Sequence, residues 1–455
     1  MRGERVHEHW SSRSGFLLAA VGSAIGLANI WRFPYITGMN GGGAFVLIYI
    51  ASIAIFIAPL LIAEIMIGRR AGQSPINALS TVALENGRSA NWRWLGGLGV
   101  SIALLGLSFY SVVAGWTFAF VIEALKGAFA GFDAAAAKAA SDGISGDPVS
   151  SALWHGLFMG LTIWIVARGI KGGLEKAVKG MMPLLFGLVV LLVIHGAVAG
   201  DFGRALAFMF KPDFSQVTKS TFLTAVGQAF FTLGIGVGSM MTYGAYLGKK
   251  VSIPRSVAVI ASADTLVAIL AGLAIFPIMF AAGLAPEKGP KLIFETLPIA
   301  FGQMPGGAFI GALFFILLAI AALTSAISLL EPAVSWLEET KGWSRRRMAV
   351  VTGVAVWVVG LASVFSFNIW ADFRPIPFVG VLADKTIFGV LEYLVANVLI
   401  PVGGILIAVF AGWLIKREAA LDELGLVDGI FFRTWRFLLR FVTPTIVAAV
   451  LYFGL

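Results

Sequence analysis

The chain runs to 455 residues, 59% hydrophobic and only 13% charged, with a formal net charge of +9 and no cysteine. A soluble domain carries about one charged residue in four, so this composition excludes a soluble enzyme or binding module and points to an integral membrane protein. The lack of cysteine also excludes disulfides and thiol or cysteine-metal chemistry. Apolar runs of about 20 residues centre near Ala24, Ile55, Leu107, Ile163, Val190, Phe231, Ile269, Ala319, Ala355, Gly403 and Ile446, about eleven in all. They are too long for barrel strands, and a lipid-exposed backbone must satisfy its own hydrogen bonds. The expected fold is therefore an all-α integral membrane bundle. No linker divides it, so residues 1–455 read as a single transmembrane domain.

From the N-terminus, "MRGERVHEHWSSR" precedes an apolar run that is broken and has no small-residue cleavage site, so it reads as a retained first span rather than a secretion signal. Inside that span "VGSAIGLANIWRFPY", Val21 to Tyr35, sets glycines, a serine, Asn29 and Arg32 at membrane depth. An unwound turn there frees backbone groups, which a bilayer tolerates only where they line a cavity or bind something. Half-helix N-termini favour a carboxylate, whereas half-helix C-termini and free carbonyls favour a cation. The second span holds Glu64 in "LLIAEIMIG", read as a structural acceptor for amides freed by a broken helix. The third offers the phenol of Tyr110 in "LSFYSVVAGW", and "GFDAAAAKAASDGISGDP" reads as an extracellular loop after it.

The sixth span, "AVGQAFFTLGIGVGSMMTYGAY", repeats the interruption, with Gly234, Gly236 and Gly238 beside Phe231 and Thr232. Breaks five spans apart are the pattern of inverted five-helix repeats around a midplane site. The repeats would cover about 14–200 and 219–416, leaving an extra helix at about 431–453. In the seventh span Asp264, within "ASADTLVAILAG", is costly enough in lipid to be read as functional. The following loop, "AGLAPEKGPKLIFETLPIAFGQMPGG", contains an apolar piece expected to fold back as a short helix over the opening. The eighth carries the adjacent hydroxyls Thr324 and Ser325 in "AIAALTSAISLLEP". Glu392 in "GVLEYLVAN" opens the tenth from the outside, where a pair with Arg32 would close an extracellular vestibule.

Basic residues are dispersed through alternate short loops: Arg69, Arg70, Arg88 and Arg93; Arg168, Lys171, Lys176 and Lys179; Lys249, Lys250 and Arg255; Lys341, Arg345, Arg346 and Arg347. This spread argues against nucleic acid. By the positive-inside rule it places those loops and the N-terminus in the cytoplasm, and the C-terminus outside a plasma (inner) membrane. No GxSxG elbow, HExxH zinc site or P-loop occurs, so enzymatic readings find no support.

The segments "VGSAIGLANIWRFPYITGMNGGGAF", "AVGQAFFTLGIGVGSMMTYGAY" and "ALTSAISLLEP" resemble helices of the neurotransmitter:sodium symporter family, especially its bacterial amino-acid transporters, and the resemblance spans nearly the whole chain. It implies two Na⁺ sites. The first would use the carbonyl of Ala24, the side chains of Asn29, Thr232 and Asp264, and the substrate carboxylate. The second would use the carbonyls of Gly22, Ile25 and Ala321 with the hydroxyls of Thr324 and Ser325. The substrate carboxylate would meet the amides of Leu27 and Ala28, where family members usually carry glycine, and the Tyr110 hydroxyl, with Phe231 as lid. Ala24 and Ser325 would also bind the substrate, and Gly106, Gly234 and Val237, with Leu329 opposite, would surround its side chain. Chloride-dependent members are expected to hold Cl⁻ among the positions of Tyr49, Gln228, Thr232 and Ala268, where Asp264 here supplies a fixed charge. The inner gate would pair Glu339, near Tyr246, with His7 or Arg5.

The resulting expectation is a sodium-coupled, chloride-independent symporter for amino acids, large hydrophobic or aromatic ones by the small residues at Gly106 and Gly234, working by alternating access. A proton-coupled carrier and a non-transporting amino-acid receptor of the same fold are the competitors. The paired hydroxyls Thr324 and Ser325 favour Na⁺ over a proton.

Overall fold

The computed structural model describes residues 8–284 and 291–454, and every regular element among them is helical. In chain order these are α1 (Arg13–Ala24), α2 (Ala28–Met39), α3 (Gly43–Ala71), α4 (Pro75–Glu85), α5 (Ala90–Leu125), α6 (Ala134–Ser145), α7 (Pro148–Val166), α8 (Ile170–Ala199) and α9 (Phe202–Phe210). They continue with α10 (Lys219–Leu233), α11 (Ser239–Ala245), α12 (Ile253–Ala281), α13 (Leu292–Gly302), α14 (Gly307–Lys341), α15 (Arg345–Phe365), α16 (Ile387–Leu414), α17 (Arg417–Leu424) and α18 (Ile430–Phe453). Nine of the described helices are long and apolar enough to span a membrane unaided: α3, α5, α7, α8, α12, α14, α15, α16 and α18. The first expected span is the pair α1 and α2, bent by 49° across its break. The sixth is the pair α10 and α11. Both interruptions lie where the glycines fall in the sequence.

The breaks have different local causes. After α1, Ile25 turns to an extended backbone (φ −76°, ψ 110°). After α10, Gly234, Gly236 and Gly238 take φ of +56°, +85° and +79°, a region that side chains with a Cβ rarely enter. The bundle then closes around these segments. In α14, 78% of the most apolar stretch is buried, and in α18 only 17%, so α14 is the central helix and α18 a peripheral one. Glycines set the closest crossings: a Cβ on Gly68 of α3 would stand 1.8 Å from the Met241 carbonyl of α11, and one on Gly244 of α11 would stand 2.5 Å from the Ile65 carbonyl of α3. Such approaches let helices pack without a hydrophobic driving force between them.

One loop expectation is corrected and another is extended. The Ala-rich stretch after the third span is not all loop. It contains α6, because Asp133 accepts the Ala136 amide as an N-cap and alanine favours helix. The apolar piece of the 282–307 connection does form a short helix, α13. Its Phe294 packs against Trp116, Phe120 and Phe315, with ring centroids 5.8, 4.8 and 6.1 Å away, so α13 is part of the aromatic core.

Candidate functional site

The two unwound segments face one cavity of about 90 Å³. Ala24, Leu27, Ala28, Gly106, Tyr110, Phe231, Gly234, Val237, Ser325 and Leu329, the ten positions expected around a substrate, all line it. Its polar end is the break in the first span. There the Leu27 amide donates toward the Tyr110 hydroxyl at 3.4 Å, and the Gly26 amide donates to Asn29 Oδ1 at 3.0 Å. At the other end Ile102, Val395 and Ile400 complete an apolar wall. Sequence reasoning missed these three residues. A Cβ on Gly106 would meet Val395 at 3.7 Å, so α16 takes up part of the space that the glycines leave.

Beside the cavity lies a buried oxygen-rich cluster. Asp264 Oδ1 accepts from Asn29 Nδ2 at 2.7 Å and from the Thr232 hydroxyl at 3.0 Å, and Oδ2 accepts from Tyr49 at 3.2 Å. Asn29 Nδ2 also reaches the Asp264 carbonyl at 3.1 Å, tying the first break to α12. Gln228, one turn before Thr232, donates to the Ala28 carbonyl at 3.1 Å, and Ala268 is buried in α12. A second oxygen cluster joins α1 to α14. The Ser325 hydroxyl lies 3.2 Å from the Ile25 carbonyl, and Thr324 Oγ1 lies 3.0 Å from the Ala321 carbonyl. A Cβ on Gly22 would sit 3.3 Å from Thr324 Cβ, so all five positions expected there are neighbours. Both clusters offer the hard oxygen donors that suit a cation such as Na⁺.

Glu64 behaves as expected of a structural acceptor: its Oε1 takes the Gly236 amide, freed by the second break, at 2.6 Å. Above the cavity a smaller pocket shares Leu27, Ala28, Phe109, Tyr110 and Phe231 with it, so Tyr110 and Phe231 form the layer between the two. Arg32 and Glu392 both line this second pocket without forming an ion pair. The Arg32 guanidinium instead stands 4.3 Å above the centroid of the Phe231 ring.

His7 and Arg5, expected at the inner gate, lie outside the described residues. Tyr246 donates to Glu331 at 2.8 Å, and Glu331 is paired with Arg345. Glu339 accepts from the Ser74 backbone amide and the Asn77 side chain, both at 2.5 Å. The N-terminal segment is fastened here too: the Trp10 indole donates to the Tyr243 carbonyl at 3.1 Å, and Glu8 accepts the Ile170 amide at 2.8 Å. Trp10, Glu331 and Arg345 were not singled out as gate residues in the sequence. Glu331 lies inside a quoted motif, where an acid in an apolar helix was the available signal.

The chain matches the Sodium:neurotransmitter symporter family over residues 7–138 and 148–455. It is 38% identical over 444 residues to the uncharacterized sodium-dependent transporter YhdH of Bacillus subtilis (strain 168), covering 97% of this chain and 96% of that one. An uncharacterized sodium-dependent transporter of Haemophilus influenzae is 31% identical over 453 residues, 98% of each chain. The crystal structure of MhsT in complex with L-phenylalanine superposes with a TM-score of 0.89 at 40% identity, covering 99% of this chain and 100% of that one.

Proposed function

This chain belongs to the sodium:neurotransmitter symporter family, whose members are membrane transporters and not enzymes, and from that premise we propose that it takes up large apolar and aromatic amino acids with two Na⁺, independently of chloride, by alternating access. The observation that carries this reading is the pair of helix breaks on one apolar cavity, with an oxygen cluster on either side. The likeness to a phenylalanine-bound structure supports the substrate class.

Each residue then has a task. The Leu27 and Ala28 amides and the Tyr110 hydroxyl receive the substrate carboxylate, and Phe231 covers it. That carboxylate completes the cation site of Ala24, Asn29, Thr232 and Asp264, so the negative charge of one cargo raises the affinity for the other, and the coupling is reciprocal. The second cation, among Gly22, Ile25, Ala321, Thr324 and Ser325, ties α1 to the central helix α14. Asp264 supplies the negative charge that two cations and a zwitterion otherwise lack at membrane depth. The basic loops and the N-terminus are assigned to the cytoplasm and the C-terminus to the outside of the inner membrane, with 14–200 and 219–416 as inverted repeats.

Equilibrium binding to the purified protein tests the substrate assignment. L-Phenylalanine, tyrosine, tryptophan or leucine should bind in Na⁺ and not in K⁺, and glycine and alanine should compete poorly, since each buried methylene contributes about 0.8 kcal/mol. Glycine or alanine outcompeting all four would overturn the assignment.

A further inference from the structure

The face that carries the basic loops has a separate cleft of about 860 Å³, sharing no residue with the cavity at the helix breaks. It opens between the 247–252 turn, the first turn of α12 and the junction of α17 with α18. Arg69 on its wall is buried and fully engaged: Nε donates to Glu423 Oε1 at 2.6 Å, Nη1 to the Val251 carbonyl at 2.5 Å, and Nη2 to the Glu423 carbonyl. The other carboxylate oxygen of Glu423 takes Lys249 at 2.7 Å. Asp422, the remaining acid of the wall, lies 3.6 Å from Arg70. Lys250 and Arg255 line the same cleft, are exposed, and make no ion pair or side-chain hydrogen bond among the described residues. The acids are spent, and two cations are left over.

The rim of the cleft is apolar. Phe431 is 50% exposed, and Val427 and Ile430 beside it are 85% exposed. Phe431 and Arg255 each lie in the first turn of a spanning helix, α18 and α12, which is the depth of the headgroups. Cations at headgroup depth with uncovered apolar side chains next to them match a molecule that has an acidic head and hydrocarbon tails. A soluble anion would leave Val427 and Ile430 in water.

We infer that this cleft binds the phosphate headgroup of an anionic phospholipid through Lys250 and Arg255, with the acyl chains along the exposed apolar side of α18.

The test is native mass spectrometry of the full-length protein released from nanodiscs of phosphatidylcholine and phosphatidylglycerol, reading the phosphatidylglycerol retained. The wild type should retain it in preference to phosphatidylcholine. Lys250→Gln with Arg255→Gln should lower retention about thirtyfold, as expected for two cations at the membrane surface. Arg346→Gln with Arg347→Gln removes the same charge elsewhere on that face and should change little. Excess soluble glycerol phosphate should not displace the lipid. Equal retention by the two double variants, or displacement by glycerol phosphate, would overturn the inference, the latter pointing to a free-anion site. Na⁺-dependent amino-acid binding checks folding; if the first double variant loses it, Lys250→Gln alone should lower retention about fivefold, and unchanged retention there would equally overturn it.

Discussion

Asp264 holds the most hydrogen bonds of any acid at the helix breaks, three side-chain donors converging on one buried carboxylate. If its charge balances the cargo, Asp264→Asn should cut uptake in chloride-free buffer at least tenfold, with added chloride restoring part of it. Unchanged chloride-free uptake in the variant, or a chloride requirement in the wild type, removes the role. At the second cluster, Thr324→Val should raise the Na⁺ concentration for half-maximal binding by about 10- to 150-fold, the equivalent of losing an interaction with a charged group of about 1.5–3 kcal/mol. The substrate binding measured at saturating Na⁺ should be nearly intact. These residues were legible because each sits in a local motif: an acid or paired hydroxyls in an apolar run, or a glycine-broken span. Val395, Ile400 and Arg345 belong to no such pattern. They reach their positions only through contacts between helices, such as that of Val395 with the Gly106 position of α5 and the pairing of Arg345 with Glu331.

At the scale of the helix, the hydropathy runs mark where spans lie, and the glycines mark the two that break. Hydropathy does not show how closely two helices approach. Gly68 and Gly244 read in sequence as ordinary small residues, yet they set the α3–α11 contact on which the inner half of the broken sixth span rests. Gly68→Ala should therefore overpack that contact and destabilise the protein by about 1–3 kcal/mol, seen as a lowered thermal midpoint in detergent. Gly97→Ala, where a Cβ meets nothing within 4 Å, is the matched control and should leave the midpoint unchanged or slightly raised. Equal midpoints for both variants would mean that α3 and α11 have room to move apart. α6 is a different kind of omission: its composition of alanine and small polar residues gives only a narrow apolar face, Ala137 and Ile144, so the Asp133 cap and the helix preference of alanine are what announce it.

For the whole molecule, the structure has its N-terminal segment fastened to α8 and α11, while Arg32 and Glu392, the proposed extracellular gate, stand apart across a pocket. Exposed ion pairs contribute little, and more once closure removes water. Glu392→Gln should accordingly slow transport while leaving Na⁺-dependent substrate binding in place. Unaltered transport kinetics would take the pair out of the cycle. The central claim is that the two breaks couple Na⁺ to an amino acid. It is tested most directly in proteoliposomes that contain only this protein, with an inward Na⁺ gradient, chloride-free buffer and labelled L-phenylalanine outside. The account predicts transient accumulation above the outside concentration, collapsing when Na⁺ is equal on both sides and absent when K⁺ replaces it. Uptake that is the same in Na⁺ and K⁺, or that never exceeds equilibration under the gradient, would contradict it.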